Sequence, residues 1–256
     1  MKITFLGTAG SILTAKKSFP SILIDKTLLL DCGEGTTQKL IKINSIDTIK
    51  TICLTHLHGD HFMGIFSLLW HFWLTNRKSD LTIIGPSHLE ETIEKIFALT
   101  NAPGGLKVLQ FKIHFKELIG NDGILEILSE YKIKYAVMDH PILAFAYRVE
   151  NNGKIVCYSG DTKPNQRLID LANKSDIFIC ESTIPDEQAK FADKYGHCTP
   201  SGAAKMARAA DCEKLVLVHI SPFFTEAIGK SINKVKKIFN KETLLAEDLM
   251  TLEIHQ

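Results

Sequence analysis

Short apolar runs recur along the chain, with longer segments of helix-like composition between them. Most of these runs are wholly apolar, so they predict strands covered on both faces; they span residues 3–6, 21–24, 28–30, 52–54, 81–84, 155–158, 177–180 and 215–218. Residues 111–116 and 132–137 instead alternate apolar and polar side chains, which predicts strands with one face in water. Strands that alternate with helices indicate an α/β fold.

Capping and turn residues between the runs show where helices and turns begin, and the lack of a linker shows how many domains to expect. Thr199 followed by Pro200 predicts the start of a helix, because threonine caps helices and proline suits their first position. Residues 147–154 are typical of a tight hairpin. Neither a Pro/Ser-rich linker nor a low-complexity tract interrupts the sequence. We therefore expect residues 1–256 to form a single domain.

The balance of charge and the hydropathy of the chain give no sign of a membrane partner or of a general affinity for polyanions. Lys and Arg number 30 against 29 Asp and Glu, so no global basic field points to nucleic acid or membrane. The longest apolar stretch, residues 65–74, falls far short of the roughly 20 residues that span a bilayer. The run after Lys2 is too short for a secretory signal, so we expect a cytoplasmic protein without membrane contact. The six cysteines form no CxxC pair, which predicts buried, reduced thiols.

The densest chemical signal is the cluster of His56, His58, Asp60 and His61, which places three imidazoles and one carboxylate within six residues. In an extended backbone His56 and His58 project to the same side, so they can share one metal ion. Asp60 and His61 then open toward a second ion. Nitrogen and oxygen ligands suit Zn²⁺, with Mn²⁺ or Fe²⁺ as alternatives. The cluster predicts two divalent metal ions.

Other metal-competent residues follow the predicted strands at the point where each strand ends. His140, Asp161 and His219 take such positions after three different strands. Because ligands gather at the carboxyl ends of strands in α/β folds, we expect these residues to converge. Asp31 follows the predicted strand at 28–30 and either orients a ligand histidine, orients the turn at 33–35, or is purely structural.

Glu181 and His197 form a candidate catalytic pair. Glu181 ends the predicted strand at 177–180, and His197 precedes the helix that begins near Thr199. An alkoxide is a poor leaving group, and an imidazolium held by a carboxylate can protonate it. The pair therefore indicates a general acid that protonates a poor leaving group, with two unrelated polar residues as the alternative.

The segment Thr55-His56-Leu57-His58-Gly59-Asp60-His61 resembles the signature of the metallo-β-lactamase superfamily. Further segments resemble its ribonuclease Z branch, which matures the 3′ ends of transfer RNA precursors; they begin at Phe5, Leu30, Ser159, Glu181 and Gly196. The resemblance implies that one metal is held by His56, His58 and His140, a second by Asp60, His61 and His219, and that Asp161 bridges them.

The same resemblance implies an αββα sandwich, commonly assembled as a homodimer. It also implies a metal-dependent phosphodiesterase in which metal-activated water attacks phosphorus. Asp60 would accept a proton from that water, while Glu181 and His197 would assist the leaving oxygen. The implied substrate is a phosphodiester at an RNA 3′ end.

One feature of the branch is missing. Ribonuclease Z enzymes usually carry a long arm that grips transfer RNA. The arm is inserted between the positions that correspond here to His140 and Asp161, but only twenty residues separate these two. Phosphate contacts must then come from elsewhere. This leaves open whether the substrate is precursor transfer RNA, a small nucleotide or another diester. A lactonase or thioesterase, or an RNA-binding protein without catalysis, is the alternative.

Overall fold

The chain folds into two seven-stranded sheets, and the computed structural model describes residues 1–128 and 130–255. The first sheet contains β1 (Lys2–Gly7), β2 (Ser21–Ile24), β3 (Leu28–Leu30), β4 (Thr51–Cys53), β5 (Leu81–Pro86) and β6 (Ile113–Leu118). The second contains β7 (Gly123–Leu128), β8 (Tyr131–Val137), β9 (Phe145–Asn151), β10 (Lys154–Tyr158), β11 (Ile177–Glu181), β12 (Lys214–Val218) and β13 (Glu242–Leu245). The chain then returns to the first sheet, where β14 (Thr251–Glu253) pairs with β1.

Helices connect the strands and cover the outer faces of both sheets. They are α1 (Thr36–Lys42), α2 (Gly59–Phe62), α3 (Gly64–Leu74), α4 (Leu89–Leu99), α5 (Gln166–Ala172), α6 (Ala189–Tyr195), α7 (Pro200–Ala209) and α8 (Thr225–Phe239). The predicted start of α7 is confirmed, because the Thr199 side chain accepts a hydrogen bond from the Gly202 backbone N–H. None of the helices among the described residues is long and apolar enough to cross a bilayer.

Three apolar layers hold the fold together. Phe5, Tyr147 and Ile179 belong to the layer between the two sheets. A second layer packs the first sheet against α1, α3 and α4, and its buried members include Leu40, Leu69 and Phe97. A third packs the second sheet against α5, α7 and α8, with Leu168, Ala204 and Val235. Helix, sheet, sheet and helix therefore form four layers, which confirms the predicted αββα sandwich.

The direction of the strands determines where loops meet. Strands β3 to β6 run parallel to one another, and so do β10 to β13. A single bridge between Ala9 and Ile220 joins the loops that follow β1 and β12. The carboxyl ends of the parallel strands of both sheets thus lie at one edge of the sandwich, where ligands collect in α/β folds.

Every predicted strand has a counterpart, and in two of them predicted residues fall outside the observed strand. The strand predicted at 52–54 is β4, Thr51–Cys53, because Thr51 pairs with Thr82 in the neighbouring strand. The strand predicted at 111–116 is β6, which begins at Ile113, where its pairing with Leu81 begins. The predicted hairpin is β9 and β10, joined by a two-residue turn. All six cysteines are buried and unpaired, as predicted.

Candidate metal centre

The predicted site residues lie at the carboxyl ends of strands from both sheets. His56 follows β4 by three residues, and α2 carries Asp60 and His61. In the second sheet, Asp161 follows β10 and His219 follows β12 directly. Both His219 and Asp31 adopt left-handed backbone conformations, with φ of 57° and 59°. Such angles cost energy in non-glycine residues and cluster at functional sites.

One group of ligand atoms is built by His56, His58, His140 and Asp161, whose metal-competent atoms all lie within 4.8 Å of one another. The Nδ1 atom of His58 is 3.0 Å from Nε2 of His56 and 3.2 Å from Nε2 of His140. Asp161 Oδ2 is 3.8 Å from His56 Nε2. Three imidazole nitrogens and a carboxylate oxygen therefore face a common point.

A second group is built by Asp60, His61 and His219, whose metal-competent atoms also lie within 4.8 Å of one another. Nε2 of His61 is 3.2 Å from Nε2 of His219, and His219 Nε2 is 3.3 Å from Asp60 Oδ2. The other oxygen of Asp161, Oδ1, is 3.4 Å from His61 Nε2 and 3.6 Å from His219 Nε2. Asp161 thus presents one oxygen to each group.

The far nitrogens of the histidine rings are held by the protein. Nδ1 of His61 is 2.8 Å from Asp31 Oδ2, and Nδ1 of His219 is 2.7 Å from Thr183 Oγ1. The carbonyl oxygen of Gly196 is 2.9 Å from His140 Nδ1. Metal-binding histidines are oriented in this way, because the outer partner fixes both the tautomer and the direction of the ring.

One inner atom of the cluster, a carboxylate oxygen of Asp161, lacks the partner that a buried polar atom needs. Asp161 is 2% exposed, yet its Oδ1 atom has no hydrogen-bond partner among the residues that the structure describes. An unpartnered buried carboxylate oxygen is costly, and a cation removes that cost. The residues present therefore fit two divalent cations, in a set made only of nitrogen and oxygen ligands.

The pKa shifts in the cluster favour the metal-binding protonation states of His56 and Asp161, but not that of His61. Burial holds the pKa of His56 well below its usual value, so the ring is neutral. Burial raises the pKa of Asp161, but His219 and His61 outweigh burial and hold it well below its usual range. Burial likewise lowers the pKa of His61, but Asp161 and Asp31 raise it well above its usual value. His61 would therefore have to release a proton for its Nε2 to bind a metal.

Glu181 and His197 form an ion pair beside the cluster. Glu181 Oε1 is 3.0 Å from His197 Nδ1 and also accepts a hydrogen bond from the Thr162 backbone N–H at 2.7 Å. Thr183 Oγ1 donates to Glu181 Oε2 at 2.6 Å. His197 Nδ1 is 3.8 Å from Asp161 Oδ2. Burial lowers the pKa of His197, but the Glu181 carboxylate outweighs burial and raises it to about 9, so the imidazole carries a proton at neutral pH.

Asp31 lies behind the cluster as a buried hydrogen-bond acceptor. Its Oδ1 accepts from the Thr55 backbone N–H at 2.7 Å. Its Oδ2 accepts from Thr55 Oγ1 at 3.0 Å and Tyr158 OH at 2.8 Å, in addition to its contact with His61. Of the three predicted options, the geometry supports orientation of a ligand histidine.

Sequence reasoning assigned no role to several residues that support the centre. Thr55 and Thr183 lie within motifs that were singled out, so neighbouring position was an available signal. Gly196 likewise begins a segment that resembles ribonuclease Z, although it contributes only a backbone carbonyl. Tyr158 lies in an apolar strand, so its position offered no such signal.

Comparison with known proteins places the chain in a family. The model of the β-lactamase superfamily domain matches residues 26–220. Ribonuclease Z of Methanosarcina mazei is 30% identical over 99% of this chain and 98% of its own length, and ribonuclease Z of Archaeoglobus fulgidus is 29% identical over 99% and 97%. The crystal structure of human tRNase Z, short form, superposes with a TM-score of 0.84 at 28% identity and covers both chains completely. The chain belongs to the β-lactamase superfamily and, within it, to the ribonuclease Z family.

Proposed function

We propose that this protein is a metal-dependent phosphodiesterase of the ribonuclease Z type, and that residues 1–256 act as one hydrolase domain. The observation that carries the proposal is the Glu181–His197 ion pair, 3.8 Å from the candidate bridging residue Asp161. A protonated imidazole beside a two-metal cluster suits a reaction with a poor, alkoxide leaving group. The likeness to ribonuclease Z over the full chain supports the same conclusion.

We assign the ligands by the two geometric groups. His56, His58 and His140 would hold one cation, Asp60, His61 and His219 the other, with Asp161 shared. The ligand set favours Zn²⁺, with Mn²⁺ or Fe²⁺ as alternatives. When bound, two such cations would supply positive charge for a phosphoryl oxygen and would make an attacking water more acidic.

The chain's own residues then move protons. Asp60 is 14% exposed at its side chain, against 3% for Asp161, so it is the carboxylate of the cluster that solvent reaches. It accepts the proton of the attacking water as the new phosphorus–oxygen bond forms. His197 gives its proton to the leaving oxygen as the old phosphorus–oxygen bond breaks. Glu181, buried and fully hydrogen-bonded, holds His197 in position.

We propose an RNA 3′ end as the substrate. The alignment with the Methanosarcina mazei enzyme spans 300 positions, whereas this chain has 256 residues, so that relative carries segments that this chain lacks. The turn between β9 and β10 lies in the stretch between His140 and Asp161, where ribonuclease Z enzymes usually carry the arm, and it contains only Asn152 and Gly153. The metal chemistry is independent of such an arm, but the grip on a large RNA is not.

An exposed helix face and the state of the cysteines support a proposed assembly and compartment. Helix α3 exposes Met63 at its start, Trp70 and Leu74, the last at 65%. A helix face of this kind supports the proposed homodimer, because large exposed apolar groups on one face mark contact sites. Six buried, unpaired cysteines support a reducing, cytoplasmic location.

The leaving group provides the sharpest test of the assignment. His197→Ala should slow cleavage of a short RNA by about 10²- to 10⁴-fold, the usual contribution of a general acid. It should slow hydrolysis of bis-p-nitrophenyl phosphate far less, because nitrophenolate leaves without a proton. Equal losses on both substrates would reject the role of His197, and Glu181→Ala should repeat the pattern.

The metal ligands are tested with the same substrates. His58→Ala and Asp161→Ala should abolish hydrolysis of both, while His114→Ala, an exposed histidine paired with Asp80, serves as the matched control. Full activity in a folded His58→Ala protein would reject the ligand assignment. Lactone and thioester panels run in parallel test the rival ester hydrolases. Metal without turnover on any ester would favour the RNA-binding alternative.

A further inference from the structure

A basic groove lies on the outer face of the second sheet, where α7 and α8 pack side by side. Two adjoining clefts of about 660 and 640 Å³ share Lys205, Ala209 and Lys234 in their walls. Arg208 and Lys237 line the second cleft. We call this surface the α7–α8 groove, defined by Lys205 and Arg208 of α7 and Lys234 and Lys237 of α8.

The cations of the groove are largely uncompensated. All four are exposed. Among the side chains that the structure describes, no carboxylate lies within 4.0 Å of the charged nitrogens of Lys205, Arg208 or Lys237, whereas Lys234 pairs with Asp186 at 2.7 Å. Asp186 is further occupied by the backbone N–H and hydroxyl of Ser201. In a chain with a net charge of only +1, this is a local concentration of positive charge.

The arrangement differs from an ordinary solvated helix face. Lysines on a solvated helix pair along their own helix, as Lys230 does with Glu226 four residues earlier. In the groove, cations from two helices face the same cleft. Such a concave basic surface concentrates a polyanion between its walls.

The groove leads toward the candidate metal centre. Its first cleft is lined by Thr199, which caps α7 and follows His197 by two residues. At 1.5 Å of rise per residue, Lys205 lies about 9 Å along α7 from Thr199, and Arg208 about 13 Å. A stacked strand advances about 3.4 Å per nucleotide, so this path corresponds to roughly four nucleotides.

We propose that the α7–α8 groove binds the phosphate backbone of the RNA strand whose diester the metal centre cleaves. This inference rests on the proposed function, because it assigns the substrate-gripping surface of that same site. It would also give RNA affinity to a chain that has only a two-residue turn between β9 and β10. The groove supplies phosphate contacts within the hydrolase domain itself.

The test is RNA binding by fluorescence polarisation, with a labelled single-stranded 12-mer and zinc-loaded protein carrying His197→Ala to suppress cleavage. The groove variant combines Lys205→Glu, Arg208→Glu and Lys237→Glu. The matched control combines three exposed lysines that lack a carboxylate within 4.0 Å among the described side chains: Lys42→Glu, Lys107→Glu and Lys116→Glu. Both carry the same change in net charge.

The groove variant should raise the Kd at least tenfold, and the control less than threefold. Each phosphate contact contributes about 0.7 to the salt slope for a single strand, so losing three lowers the slope by about 2. Between 50 and 200 mM salt, wild-type affinity should therefore fall about 15-fold more than that of the variant. A neutral variant with Lys205→Gln, Arg208→Gln and Lys237→Gln should show the same decrease in the salt dependence of binding. It keeps the proposal testable if the glutamate variant does not fold.

Two outcomes would overturn the groove. If the groove and control variants weaken binding equally, only net charge matters; if neither weakens it, the helices present a solvated face. A different result would refute the proposed function. Protein with histidine at position 197 that binds RNA through the groove but cleaves neither RNA nor a small diester would refute catalysis and leave the groove intact.

Discussion

Replacing Asp31 with asparagine should weaken metal binding without removing a ligand. The carboxylate is fully buried and accepts hydrogen bonds from Thr55 and Tyr158 while it faces Nδ1 of His61. An asparagine side chain keeps one acceptor oxygen and turns the other position into a donor. The asparagine amide can place its nitrogen at either of the two oxygen positions of Asp31. In each orientation, at least one donor that faces a carboxylate oxygen in the wild-type protein would face the amide nitrogen instead. If the nitrogen takes the Oδ2 position, the His61 ring loses its acceptor; if it takes the Oδ1 position, His61 keeps an acceptor oxygen without the carboxylate's charge, so the ring is held less firmly in both cases.

The magnitude follows from the contact that is lost. A hydrogen bond to a charged group contributes about 1.5 to 3 kcal/mol. Loss of an outer partner of a ligand histidine typically lowers metal affinity by about 10- to 100-fold, which is roughly 1.4 to 2.7 kcal/mol. We therefore expect Asp31→Asn to raise the zinc Kd by that factor at the cation that His61 would hold, and to lower the unfolding temperature as well.

Competition with a chromophoric zinc chelator measures both sites. Asp176→Asn is the matched control, because Asp176 accepts a hydrogen bond from the Ile155 backbone N–H near the opposite end of β10 from Asp161. It should cost stability but leave zinc affinity unchanged. A folded Asp31→Asn protein with wild-type zinc affinity would refute the claim that Asp31 orients His61.

Three further predictions concern protonation, backbone geometry and metal removal. Because Glu181 keeps His197 protonated up to a pKa of about 9, the acid is lost as the pH rises; Glu181→Gln should move the alkaline limb of the RNA-cleavage pH profile to lower pH, and an unmoved limb would contradict the pairing. Gly160→Ala should destabilise the protein by at least about 1–3 kcal/mol in thermal unfolding, because φ is +55° and a Cβ would lie 2.8 Å from the Thr55 side chain. Gly229→Ala is the control, because Gly229 has open space around it and the change should not destabilise α8. Equal unfolding temperatures of the two variants would argue against strain at Gly160. Chelation should lower the unfolding temperature and added Zn²⁺ should restore it, since a ligand bound only to the folded state stabilises it; a melt insensitive to both would count against the centre.

The layered fold could be predicted where local sequence carried it. Strand β3, for example, is fully apolar and is buried along its whole length, so its composition was sufficient. Strand β14 was not predicted, because Thr251–Glu253 has no apolar run and forms only through pairing with β1 at the other end of the chain. Its strand character comes from tertiary context.

The positions in the candidate site could be predicted for a different reason. His140, Asp161 and His219 each follow a strand, and parallel strands bring such positions together whatever the loops between them do. Tyr158 could not be found in this way, because its hydroxyl reaches Asp31 only through the packing of the two sheets. Contacts of this kind depend on distances between layers, which a single sequence does not encode locally.

Anomalous scattering from crystals of the zinc-loaded protein, recorded above and below the zinc edge, tests the central claim most directly. Two peaks per chain are predicted, one among His56, His58 and His140 and one among Asp60, His61 and His219, with Asp161 between them. An absence of peaks at this edge of the sandwich, or zinc bound only elsewhere, would contradict it.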